Sequence, residues 1–237
     1  MNKSFIDAAK IAIFLAAFML LTGCTDKKSE ARKKIDPNRE KVMVMIGGVD
    51  FDIPLGYFYE NTVWTKGEWP VPWEHRIARP SMSIRAYING MRPWSKELER
   101  EFKNPGSLEI TRMTIKGDYP EIWLDNFLRN RMPTQRPSSE FGNLPGLAGY
   151  TSDHDPKGYY YLLLEPNGQS FLIRCSRVSL GSGYCYVTFT YRASVVVEYM
   201  IPIYRLKDWQ AIHGEVVQML DSFAHVEMTT SIKRARN

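Results

Sequence analysis

From Val42 onward the apolar residues fall into short runs that alternate with polar ones, and near the end the period changes to that of a helix. Val42-Met43-Val44-Met45-Ile46 and Val49-Asp50-Phe51-Asp52-Ile53 flank Gly47-Gly48, a pattern that predicts a hairpin ended by Pro54. Met82 to Ile88 alternates as a strand and stops at Asn89-Gly90. Leu108 to Ile115 also alternates, with Leu108, Ile110, Arg112 and Thr114 on one side and Glu109, Thr111, Met113 and Ile115 on the other; neither side is cleanly apolar. Four further runs, Tyr159–Glu165, Ser170–Cys175, Tyr184–Tyr191 and Val195–Ile203, are joined by turn-forming residues and predict an antiparallel meander. Leu206, Trp209, Ile212, Val216, Leu220 and Phe223 then recur at helical spacing, so that one face of a C-terminal helix should pack on the meander.

Two shorter helices are expected. One spans Ser95 to Phe102, with Ser95 as N-cap and Asn104-Pro105-Gly106 as the stop. The other runs from Tyr119-Pro120-Glu121 to about Arg129, with Ile122, Leu124, Phe127 and Leu128 on its apolar face. Residues 132–157 are rich in Pro, Gly, Ser and Asp and read as a long loop or a boundary between two halves. The class is α+β: an antiparallel sheet, including the four-strand meander, packed by the C-terminal amphipathic helix. The folded domain is expected over 42–226, with two similar halves, 42–130 and 155–225, conceivable inside it, and a polar tail at 227–237.

The N-terminus has a different character. Lys3 and Lys10, with Asp7 between them, precede an unbroken apolar run from Ile11 to Leu21, followed by Thr22-Gly23-Cys24. This order of charged, apolar and small residues is that of a secretory signal. Leu21-Thr22-Gly23-Cys24 resembles the lipobox of bacterial lipoproteins. The resemblance implies removal of residues 1–23 and acylation of Cys24, which ties the protein to a membrane. An uncleaved anchor is the alternative, but the run is short beside the roughly 20 residues of a spanning helix. Residues 24–41 are charged, lack apolar periodicity and read as a flexible tether. In enteric lipoproteins an Asp directly after the lipidated Cys marks inner-membrane retention. Thr25 stands there, so the resemblance implies the outer membrane, with the domain facing the periplasm and the inner membrane as the alternative.

Export changes how the cysteines are read. Cys24 goes to lipid, and Cys175 and Cys185 remain in a compartment that permits disulfides. They flank Gly181-Ser182-Gly183 between two strand-like runs, so a bridge at the neck of a hairpin is expected; two free thiols or half of a metal site are the alternatives. The net charge of +5 is scattered along the chain, whereas nucleic-acid binding calls for a concentrated basic face, so no nucleic-acid partner is expected.

Catalytic motifs are absent: there is no Gly-x-Ser-x-Gly elbow, His-Glu-x-x-His, Walker loop or dinucleotide fingerprint. Ser152-Asp153-His154-Asp155 places His beside Asp, but neighbouring loop residues rarely converge on one atom. A solvated turn or an acidic loop meeting a basic partner is the simpler reading. His213 and His225, in or just past the amphipathic helix, read as half-buried structural histidines. The chain is therefore expected to bind rather than to catalyse, with no cofactor and no metal.

Aromatic residues suggest where. Gly56 to Pro80 holds Tyr57, Phe58, Tyr59, Trp64, Trp69 and Trp73, and reads either as a loop folded over the core or as an aromatic contact surface. Val44 to Pro54, Gly67-Glu68-Trp69-Pro70 and the strand at Met82 to Ile88 resemble a group of small bacterial lipoproteins encoded beside secreted antibacterial toxins. These are similar to immunity proteins for phospholipase effectors of the type VI secretion system. The resemblance implies a membrane-tethered protein that captures a cognate lipase or phospholipase and blocks its cleft or its access to lipid. Trp64, Trp69, Trp73 and Tyr150 are the candidate anchors, and Asp153 and Asp155 the charged rim. Two other functions fit the same sequence: a structural or assembly lipoprotein of an envelope machine, and a hydrolase with an unrecognised site.

Overall fold

The computed structural model describes residues 40–58, 76–117, 126–130, 135–137, 144–153, 155–164, 170–176, 183–192 and 194–225. Cys24 and the tether, Trp64, Trp69, Trp73, His154 and the polar tail lie outside the described residues. In chain order the strands are β1 (Lys41–Ile46), β2 (Val49–Pro54), β3 (Ile77–Ala78), β4 (Ser81–Tyr87), β5 (Ile110–Gly117), β6 (Gln135–Pro137), β7 (Ala148–Ser152), β8 (Asp155–Leu164), β9 (Ser170–Ser176), β10 (Tyr184–Arg192) and β11 (Val195–Pro202). The helices are α1 (Glu99–Lys103), α2 (126–130) and α3 (Trp209–Phe223).

The meander forms as its turn residues predict, with β8, β9, β10 and β11 adjacent and antiparallel. It is the centre of an eight-stranded antiparallel sheet of order β4-β5-β11-β10-β9-β8-β7-β6. β5 pairs with the outer side of β11, so a single sheet runs through both stretches that the sequence allowed as halves. β1 and β2 form the expected hairpin, and β3 adds to β1 in parallel to make a separate three-stranded sheet.

Residues 132–157 depart from the expected loop. β6, β7 and the start of β8 lie within them, at one edge of the large sheet. Pro137 is tolerated because β6 is the edge strand, which needs fewer ladder bonds than a central one. Composition alone therefore hid these strands.

The core lies between one face of the large sheet, the hairpin and α3. Met82, Ile84 and Ala86 of β4, Met113 and Ile115 of β5, and Val187, Val197, Tyr199 and Ile201 of β10 and β11 are buried on that face. The ambiguous β5 resolves the same way. Thr111 joins Met113 and Ile115 inside, and its hydroxyl donates to the Met200 carbonyl at 2.6 Å, which removes the cost of burying it. All six predicted apolar positions of the helical stretch are buried, and Met219 joins them. The regular helix begins at Trp209, after a 3-10 segment over Ile203–Asp208. The Trp209 and His213 rings each stand 4.9 Å, centroid to centroid, from Phe171 of the meander.

The far end of α3 closes onto the hairpin. The Tyr57 and Phe223 rings meet edge-on at 4.9 Å, and the His225 N–H donates to the Asp50 carbonyl at 2.9 Å. Tyr57 and Phe58 are core residues, which is the packing alternative for this part of the aromatic segment. At the other side of the hairpin, Gly47 has a positive φ of 57° and is packed so tightly that a Cβ there would stand 2.0 Å from the Ser194 carbonyl oxygen. Two expected helices are adjusted. Ser95 sits at the N-cap of a 3-10 turn leading into α1 but makes no side-chain capping bond, and of the segment to Arg129 only α2 falls among the described residues.

Candidate functional site

Alternation along a strand sends successive side chains to opposite faces of the sheet. With Phe171, Ile173 and Cys175 of β9 on the α3 side, Leu172 and Arg174 project from the opposite face. By the same rule, so do Tyr184, Tyr186, Thr188 and Thr190 of β10, Val196 and Glu198 of β11, and Arg112 and Lys116 of β5. The register brings these residues together. Arg174 lies opposite Tyr186, Thr188 opposite Glu198, and Val196 opposite Lys116. The Arg174 guanidinium lies over the Tyr186 ring, 5.2 Å from its centroid.

α2 rests on this face. Phe127 and Leu128 pack against Tyr160, Leu162 and Leu172, with Phe127 meeting Tyr160 edge-on at 5.6 Å. Between this patch and β5 runs a groove of about 290 Å³, bordered by Lys116, Arg174, Tyr186, Glu198, Phe127 and Leu172 among others. Nearer β4 is a smaller hollow of about 120 Å³ beside Arg85, Arg112 and Tyr184. Arg85 and Arg112 are directly opposite in register, a like-charge juxtaposition that a sheet does not favour. Arg85 is held by its bond to the Phe102 carbonyl at 2.9 Å, and Tyr184 donates to the Ser107 carbonyl at 2.7 Å. Burial raises the Tyr184 pKa, and the nearby Arg112 partly offsets this.

The candidates read from the sequence are distributed unevenly. Tyr150 is half-buried and packs beside the Tyr160 cluster. Asp155 accepts a hydrogen bond from the Tyr160 hydroxyl, and Asp153 is exposed in the turn between β7 and β8. These three therefore sit at the β7–β8 end of the large sheet. Lys116, Arg174, Tyr186 and Glu198 were missed. Their signal was the polar phase of strands whose apolar phase was recognised, and reading that phase as a continuous face requires knowing which strands are neighbours.

His213 and His225, the histidines among the described residues, take structural positions. His213 is enclosed by the Phe171, Phe189, Tyr199 and Trp209 rings, and burial pushes its pKa down to about 4. His225 Nε2 lies 2.6 Å from Asp52, whose carboxylate also receives Arg76 at 3.0 Å, so this cluster links hairpin and helix end. Among the described residues no three His, Cys, Asp or Glu side chains gather where they could hold a metal. Cys175 and Cys185 stand directly opposite on β9 and β10 and are joined as a disulfide. No helix among the described residues is long and apolar enough to cross a membrane.

These features define a class: an α+β fold in which one long antiparallel sheet is backed by a helix and a hairpin and turns a polar, aromatic face outward. No protein-family model matches the sequence, and no curated protein matches it. Two solved structures share the fold. One is the iron-regulated outer membrane lipoprotein FrpD of Neisseria meningitidis, at 14% identity and a TM-score of 0.50, with 79% of this chain and 93% of that one covered. The other is Smlt3025, an immunity protein of the Stenotrophomonas maltophilia type IV secretion system, at 13% identity and a TM-score of 0.51, with 79% and 94% covered.

Proposed function

We propose that this chain is a lipid-anchored immunity protein of the bacterial envelope, which binds and inhibits an antibacterial lipase or phospholipase delivered by a type VI secretion machine. The observation that carries this reading is a fold shared with a secretion-system immunity protein over most of both chains, on a sequence that opens with a lipoprotein signal. The choice of machine and of effector chemistry rests on the resemblance of Val44–Pro54, Gly67–Pro70 and Met82–Ile88. The protein acts by occupying its partner and not by turnover. Its anchor is the lipid on Cys24, and its place is the periplasmic side of the outer membrane. Tethering confines the inhibitor to the surface that a phospholipase must reach, which raises its effective concentration there.

The test is capture. Residues 25–237, expressed without lipid in an oxidising compartment, are used to retrieve partners from native cells, including the products of neighbouring genes. A stoichiometric complex with a lipase whose activity falls on binding is the expected result. The likeness to an outer membrane lipoprotein favours a second reading, an assembly lipoprotein of an envelope machine. Retrieval of resident envelope components with no lipase would replace the first reading with that one.

A further inference from the structure

The outward face of the sheet carries positive charge that no carboxylate among the described residues pairs with. Arg112, Lys116 and Arg174 project from it, and none is within ion-pair distance of a carboxylate among the described residues. Arg112 is exposed, but Lys116 and Arg174 are half-buried in the wall of the groove. Lys116 loses part of its hydration there with no carboxylate partner among the described residues, and Arg174 gains only the face of the Tyr186 ring, so the charge is incompletely compensated. Glu198 is the one carboxylate among the described groove-lining residues, and it too makes no ion pair with a described residue. Tyr186 is 37% exposed although it lies in a central strand, and its ring is presented flat beneath the Arg174 guanidinium. Tyr and Arg are the side chains that dominate protein interfaces, and a guanidinium matches a carboxylate with two parallel hydrogen bonds.

We infer that this face is a docking surface for a carboxylate-bearing segment of the partner protein, seated in the groove between Lys116 and Arg174 with Tyr186 as its aromatic contact. The inference rests on the immunity reading only in naming the effector as the protein that carries the segment. Glu198 sets the register, since it repels a carboxylate placed over β11 and leaves the positions beside β5 and β9 favoured. Half-buried Phe127 in the same groove suits a peptide segment better than a lipid headgroup.

The experiment uses residues 25–237 with the disulfide formed, and compares two double charge reversals of equal size. One is Lys116→Glu with Arg174→Glu. The control is Lys41→Glu with Lys207→Glu, at exposed lysines away from the groove. A further pair, Lys116→Gln with Arg174→Gln, guards against misfolding, and circular dichroism checks all three. Each protein is titrated with a short poly-glutamate peptide, with vesicles rich in phosphatidylglycerol, and with an active lipase encoded beside its gene, whose turnover is read alongside binding. The groove pair should weaken peptide and lipase binding about tenfold or more, with a steep salt dependence in the parent protein, and the control pair should change neither beyond about twofold. Equal losses in both pairs would mean diffuse charge and overturn the inference. So would groove-dependent binding to vesicles alone. If the parent binds and inhibits the lipase and the groove pair does so equally well, the docking inference fails while the immunity reading stands. If no lipase binds but the peptide is held through the groove pair, the immunity reading fails and the docking surface remains.

Discussion

His213 behaves as it does because of its surroundings and not because of a reacting neighbour. Four aromatic rings shield it from much of the solvent, and burial lowers its pKa from 6.5 to about 4. The unfolded chain therefore binds a proton there at a higher pH than the folded one. In the window between those values stability rises with pH, because the unfolded state carries more protons. The contribution is complete above about 6.5 and is lost progressively as pH falls toward 4. Thermal melts across this window should show a falling midpoint on acidification, and His213→Leu should flatten that dependence. Identical slopes in the two proteins would show that His213 is not the group responsible. The sequence placed this histidine on a helix next to apolar positions, which was enough to read it as structural. Three of the four rings come from β9, β10 and β11, and those neighbours are visible only in the fold.

At the scale of elements, the hairpin β1–β2 was legible from alternation around two glycines, but the two glycines do different work. Gly48 has a φ of +77° and open space around the position of a Cβ, so alanine there meets only the backbone cost of a left-handed conformation, about 1 kcal/mol. Gly47 has a positive φ as well, and it is packed against the Ser194 carbonyl in the turn between β10 and β11. Gly47→Ala should cost about 2 kcal/mol or more, because backbone or turn must move to make room. Urea denaturation of the two variants checks this, and equal losses would mean that the close approach is not what Gly47 secures. The sequence foretold the turn but not what the turn leans on. The β9–β10 disulfide was readable because both cysteines sat at strand ends around a short loop. β6 and β7 were not, because their stability comes from pairing at an edge and not from apolar content.

At the scale of the molecule, two levels of information meet. In the proposed function, Leu21-Thr22-Gly23-Cys24 supplies an address, and the fold carries the inferred docking face to it. Cys24→Ala should release the protein from the membrane fraction while leaving the folded domain and its partner affinity intact. On the proposed function, protection of cells against the effector should then fall, because the inhibitor is no longer concentrated at the membrane. Fractionation and a competition assay read the two effects separately. Retention of the variant in the membrane fraction would show that something other than the lipid holds it there.

The sequence by itself determined the strand and helix periods, the meander and its helix, and it placed two cysteines where a bridge could close. Each depends on residues close in the chain, where period, turn chemistry and spacing act locally. Only the tertiary structure decided that β4 and β5 extend the meander into one sheet and that the hairpin turn locks against Ser194. It alone gathered Arg112, Lys116, Arg174, Tyr186 and Glu198 on one face. Those arrangements join residues far apart in the chain, and their free energy comes from shared burial and strand pairing that no local pattern encodes.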